Sequence, residues 1–215
     1  MRRSFLYVVD RDFGFAPNPF HGLCTLATCK RLLRASTEEG DWVFGLGGRR
    51  LRATGRCVFG MRVDDKMPFQ EYWDGAEYRL KRPVRNGTLK MLAGDNIYRR
   101  SGTGWIQADS HHSNTDGSQN DDNTRRDTQA DAVLVSQHFF YFGKSAPEIP
   151  AQILKDLNYR NGIGHRVAHA PVDQPLIDWV ESQLPPNTVA DDPFDFDSAD
   201  ARYAYATNRV THPNA

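Results

Sequence analysis

The residues best equipped for chemistry lie between Ala108 and Gly117. In this run, ADSHHSNTDG, His111 and His112 stand side by side between Asp109 and Asp116. An imidazole exchanges protons near neutral pH and a nearby carboxylate can orient it, so acid/base work or a hydrogen bond to phosphate is one reading. Metal ligation is a second. Asp109, His111 and Asp116 could supply the three protein ligands of a catalytic zinc site, with His21 or Asp95 joining from elsewhere. The spacing lends this no support, because adjacent histidines on an extended chain point to opposite sides and no HExxH, HxH or CxxC pattern is present. A solvated polar loop is the third, since Ser110 to Gln129 holds almost no apolar residue. The catalytic candidates are therefore His111, His112 and Asp95. No residue is assigned to a metal and no cofactor is predicted, while a divalent metal stays open.

Other residues are better suited to holding a ligand. The loop RDFGFAPNPFHG places Asp10, Asn18 and His21 beside the end of a first strand, where a rigid scaffold can present them; Asn18-Pro19 is equally good turn chemistry. Trp42, Trp73, Tyr98, Trp105 and Tyr141 offer aromatic faces on which a base could stack, and each is equally a core residue. Gly45 alternates with Trp42 and would let a ligand approach the backbone. Asn96 could pair with an adenine-type edge or sit in an Asx turn.

These side chains need elements to position them. Ser4–Val9 reads as a central strand, Leu23–Ala35 loosely as a short helix, Trp42–Leu46 as a strand and 53–63 as a glycine-containing strand. A short helix over Met67–Trp73 follows, then strands near 96–99 and 104–108. Ala132–Phe142 carries the strongest strand signal, and helices are expected over 150–157 and 172–184. This predicts an α+β domain over 1–185 with a polar insert at about 109–130, followed by an irregular acidic tail over 186–215.

Composition narrows the classes. No apolar run is long enough to span a bilayer and the N-terminus lacks a signal-peptide pattern, so a cytoplasmic protein that does not contact membranes is expected. Cys24, Cys29 and Cys57 read as buried free thiols rather than a disulfide framework. The net charge of zero hides an asymmetry: residues 1–105 carry 19 Lys and Arg against 11 Asp and Glu. A basic half suits a phosphate-bearing ligand, or simply neutralises the acidic half. P-loop, GxSxG, kinase and zinc-deaminase signatures are absent.

Two resemblances follow from these residues. The order strand, Pro/Asn loop, short helix, GDWVFGLGG and glycine-containing strand resembles the PUA-like superfamily that includes EVE, ASCH and YTH domains. The segments FLYVVDRDFGFAPNPFHG, GDWVFGLGG, GDNIY, SHHS and VLVSQHFFYFG are similar to those of a bacterial and phage family, the nucleotide modification associated domain of the second type. The first resemblance implies a small curved β-barrel with short flanking helices. Together they imply recognition of a nucleobase or nucleotide, modified in the natural ligand, within a nucleic-acid modification or phage defence system. Arginines of the basic half would then meet phosphate, and partner proteins would come from the same operon. The alternative is an enzyme acting on a nucleotide or base through His/Asp acid-base or metal chemistry.

Overall fold

The computed structural model describes residues 2–212. Its strands are β1 (Arg3–Val9), β2 (Cys24–Leu26), β3 (Trp42–Gly47), β4 (Cys57–Arg62), β5 (Asp65–Met67), β6 (Tyr98–Ser101) and β7 (Gly104–Gln107). They continue with β8 (Val133–Ser136), β9 (His138–Tyr141), β10 (His165–His169), β11 (Thr188–Val189), β12 (Arg202–Ala204) and β13 (Arg209–Thr211). The helices are α1 (Arg31–Ser36), α2 (Phe69–Asp74), α3 (Leu89–Leu92), α4 (Asp121–Asp127), α5 (Ala151–Asp156) and α6 (Gln174–Gln183).

The apolar run of β1 is buried because it lies inside a six-stranded sheet, β10-β1-β3-β4-β9-β11, parallel to β3 and antiparallel to β10. Leu6, Phe44, Gly60 and Phe140 are in register on one face, where Val180 of α6 packs close to Gly60. Tyr7, Gly45, Phe59 and Tyr141 line up on the other. Gly45 is required there, because a Cβ would lie 2.1 Å from the Phe59 ring. A second sheet, β2-β8-β5, and two hairpins, β6-β7 and β12-β13, complete the strands. No closed barrel forms among the described residues, and the fold is mixed α+β. No described helix is long and apolar enough to cross a membrane.

Two stretches depart from the sequence expectation. Ala132–Phe142 is two strands in different sheets, parted at Gln137. Side-chain oxygens satisfy the backbone at the break: Ser136 Oγ accepts from His138 N–H at 3.0 Å and Asp64 Oδ2 from Gln137 N–H at 2.7 Å. Leu23–Ala35 is not one helix but strand β2, a tight turn and helix α1. Thr25, β-branched and bonded to Asp95 at 2.8 Å, favours the strand. Cys29 and Lys30 then take positive φ angles of 56° and 33°, which ends any helical register before Arg31.

The polar segment from 109 to 130 folds inward. Ser113 N–H donates to the Ser110 carbonyl at 3.0 Å and Ser110 N–H to Ser113 Oγ at 3.0 Å, closing a turn around the two histidines. Asn120 caps α4 by accepting from Asn123 N–H at 2.9 Å. The chain after Pro186 covers this region: β11 adds to β9, and the β12-β13 hairpin is fixed by Tyr203 N–H donating to the His111 carbonyl at 2.7 Å.

Candidate active site

The turn at Cys29, the Ser110–Ser113 turn, the end of α4 and the start of β12-β13 meet around a cavity of about 430 Å³. Its lining includes Tyr7, Phe13, Phe15, Cys29, His111, His112, Asp127, Tyr203 and Tyr205. Cys29 Sγ lies 3.6 Å from His112 Nε2. His112 Nδ1–H donates to Asp127 Oδ2 at 2.7 Å. Asp127 Oδ2 also accepts from the Tyr98 hydroxyl at 2.9 Å, and Oδ1 from the Cys29 backbone N–H at 2.9 Å. A thiol, an imidazole and a buried carboxylate thus form one hydrogen-bonded chain, with the carboxylate fixed on three sides.

Arg34 ties the frame together from a fully buried position. Its Nε donates to the Cys29 carbonyl at 3.0 Å and Nη2 to the Asp127 carbonyl at 2.7 Å, while Nη1 reaches the carbonyls of Ala130 and Ala132. The planar guanidinium fork suits these divergent carbonyls, which a lysine could not span. The His112 carbonyl is held by Asn123 Nδ2 at 2.7 Å and Gln107 Nε2 at 3.2 Å.

The electrostatics follow from this geometry. Burial alone would lower His112, but Asp127 and Cys29 override it and raise the imidazole to about 10. Burial would raise Cys29, yet His112 brings the thiol below its ordinary value of 9.0, with further help from the Tyr205 hydroxyl. Asp127 is held below the usual carboxylate value by His112 and Arg34 despite burial. Both directions favour a thiolate-imidazolium pair. His111 takes the opposite state: burial and the neighbouring His112 lower it to about 3. Its Nδ1–H donates to the Ala201 carbonyl at 2.6 Å, leaving Nε2 as the acceptor. The other thiols differ, since burial pushes Cys24 up to about 12 and raises Cys57 as well.

A family model described as nucleotide modification associated domain 2 matches residues 1–200. The chain belongs to this family. No curated protein and no solved structure matches it. Cys29, His112 and Asp127 all fall within the stretch that this nucleotide modification associated domain covers, whereas Tyr203 and Tyr205 follow its end.

Of the residues singled out in the sequence, His111, His112 and Asp10 line the cavity, and Tyr98 supports it from behind through Asp127. The rest sit elsewhere. Asp95 is buried between the Thr25 and Tyr72 hydroxyls, both at 2.8 Å. Asn18 is buried, donating to the Ala93 carbonyl at 2.7 Å and accepting from Lys81 Nζ at 2.8 Å. Asn96 donates to the Tyr72 carbonyl at 2.8 Å. His21 is exposed on a turn with a φ of 61°. Trp42 is stacked with Phe44 and Phe140 in the core, and Gly45 makes room for Phe59 rather than a ligand. Trp73 lies under Arg82 and Arg99, Trp105 under Arg100, and the Tyr141 hydroxyl donates to buried Asp12.

Cys29 and Asp127 were not among the sequence candidates. One signal for Cys29 was present: it is followed by Lys30-Arg31, whereas Cys24 and Cys57 are each followed within two residues by an apolar side chain. Asp127, in RRDTQ, carries no comparable mark. Among the described residues no group of three or more His, Cys, Asp or Glu side chains is arranged to hold a metal ion.

Proposed function

We propose that this protein is a thiol-dependent enzyme of a bacterial or phage nucleotide-modification system, with Cys29 as nucleophile, His112 as acid and base, and Asp127 as its orienting carboxylate. The observation that carries this reading is the hydrogen-bonded chain Cys29–His112–Asp127 opening on a cavity. Nucleophile, base and orienting group within hydrogen-bond reach are the geometric requirements for covalent catalysis. The positive φ at Cys29 holds the thiol on a sharp strand-to-helix turn, a placement that exposes a nucleophile above its sheet.

The chemistry runs as follows. The Cys29 sulfur forms a bond to an electrophilic carbon as that carbon releases its leaving group, which takes the proton from His112 Nε2. An acceptor with an O–H or N–H then displaces the sulfur, and its proton returns to His112. Asp127 keeps the imidazolium aligned in both steps. Neutral His111 offers a hydrogen-bond acceptor, and the buried Tyr7 hydroxyl, which has no partner among the described residues, offers a donor. The recognition half of the reading keeps what the PUA-like resemblance implies, with a base held between aromatic rings. Phe13, Phe15, Tyr203 and Tyr205 supply such walls in the cavity.

The test is alkylation by iodoacetamide as a function of pH, mapped by peptide mass. Cys29 is expected to react with an inflection below 9, while Cys24 and Cys57 stay silent in the folded protein. His112→Gln should return the inflection to the ordinary thiol range. A wild-type Cys29 that titrates like a free thiol would sink the proposal. A chelator arm separates the metal alternative, since this chemistry survives EDTA.

A further inference from the structure

The cavity is ringed by cations that form no ion pair with a carboxylate among the described residues. Arg11 follows β1, Lys30 and Arg31 open α1, and Arg126 lies in α4, so three separate parts of the chain deliver positive charge to one opening. Two carboxylates share the lining, Asp10 and Asp127. Asp127 is committed to His112, Tyr98 and the Cys29 backbone, while Asp10 lies near enough to Lys30 to favour its ammonium without forming an ion pair. Among the described residues none of the four cations forms an ion pair. Arg11 donates only to the side-chain and backbone oxygens of Asn208, each at 3.2 Å, and its Nε is buried without a partner. Lys30 reaches only the Val8 carbonyl, at 3.4 Å. Elsewhere cations find carboxylates readily, as in Arg3–Asp41 at 2.6 Å, Arg2–Asp173 at 2.9 Å and Arg100–Asp131 at 2.9 Å.

What holds three of them is aromatic. Lys30 Nζ lies 4.3 Å from the Tyr7 ring centroid, the Arg126 guanidinium 4.6 Å from Tyr205, and that of Arg11 5.3 Å from Tyr203. A tyrosine face attracts and orients a cation without cancelling its charge. The charge therefore stays available to a ligand, and the same rings that fix it form the cavity wall beside Cys29.

We propose that Arg11, Lys30, Arg31 and Arg126 form a phosphate-binding rim, so that the thiol acts on a substrate carrying a phosphate ester, a nucleotide seated with its phosphate at the rim. This rests on Cys29 being the nucleophile. Phosphate suits the rim because its oxygens accept from several cations at once, and guanidinium groups match them in paired geometry.

The experiment compares Cys29 alkylation by iodoacetate, an anion, with that by neutral iodoacetamide at pH 7, using a small free thiol as reference. The rim is expected to raise the iodoacetate-to-iodoacetamide ratio at Cys29 above that of the free thiol. Inorganic phosphate and a nucleoside monophosphate should slow both reagents. An Arg11→Gln/Arg126→Gln variant should lower the ratio about tenfold, equivalent to weakening anion binding by about 1.4 kcal/mol. A ratio equal to that of the free thiol, with no protection by any phosphate, overturns the proposal, and the wild-type arm decides this even if the variant does not fold. Stronger protection by a monophosphate than by a short single-stranded oligonucleotide identifies a free nucleotide as the source of the phosphate, and the reverse order identifies a nucleic-acid backbone. Either order supports the rim. Failure of the thiol reading is distinguishable, because it appears in the iodoacetamide pH profile, which involves no anion.

Discussion

At Cys29 the decisive quantity is where a proton sits. His112, raised from 6.5 to about 10, contributes stability that is full below 6.5 and is lost as pH rises through about 10. Cys29, lowered below 9.0, contributes stability that is present above 9 and is lost as pH falls through its folded value. The urea midpoint of wild type minus that of Cys29→Ser should therefore grow as pH rises toward 9, and a difference independent of pH would count against the ion pair. Lys81, lowered to about 8 by burial, titrates in both proteins and cancels in this comparison. Tyr7 supplies a second residue-level prediction. Its buried hydroxyl has no partner among the described residues, so Tyr7→Phe removes an unsatisfied group and should leave stability unchanged or raise it by up to about 1 kcal/mol in urea denaturation. A loss larger than that would reveal a partner the hydroxyl depends on.

At the level of elements, the site is a joint between pieces that are individually ordinary. Helix α1 has six residues and α4 has seven, too short to be stable alone. Arg34 makes them one unit by bonding the carbonyls of Cys29 and Asp127. Arg34→Met would leave several buried carbonyls without donors, and a loss of roughly 3 kcal/mol is expected in urea denaturation. The Cys29 inflection should also move up toward the ordinary thiol range, because the thiol and Asp127 lose their common anchor. Arg34→Lys, which keeps the charge but not the fork, should recover little of either effect; full recovery would show that charge alone suffices. The Lys81 ammonium performs a similar task at the other end of β2, donating to Asn18 Oδ1 at 2.8 Å and to the Leu23 carbonyl at 2.7 Å.

For the whole molecule, the C-terminal hairpin closes the cavity. Among the described residues strands β12 and β13 pair only with each other, and the hairpin meets the body through His111, Asn123, Arg11 and, from Arg202, Asp109 and the Ser110 carbonyl. Ending the chain after Arg202 should leave a cooperatively unfolding protein, since Arg202 keeps its ion pair with Asp109. That shortened protein should react faster at Cys29 with a bulky maleimide, because Tyr203 and Tyr205 no longer wall the cavity that Cys29 lines. Loss of cooperative unfolding would instead make the hairpin part of the core.

What the sequence determined by itself was local. The β-rich, apolar content of Ser4–Val9, Trp42–Leu46 and 53–63 placed β1, β3 and β4, because the propensity and apolar content that mark a buried strand are properties of short segments. The family segments were also legible in it, and it singled out His111 and His112, which line the cavity. Only the tertiary structure decided which groups meet. Cys29, His112 and Asp127 are 83 and 15 residues apart along the chain, and no spacing rule links a strand-to-helix turn, a serine-closed turn and a helix end. Burial by itself opposes charge on Cys29 and His112, and what favours a thiolate-imidazolium pair is their contact with each other and with Asp127. Charge states follow from desolvation and long-range partners, and these exist only once the chain has folded.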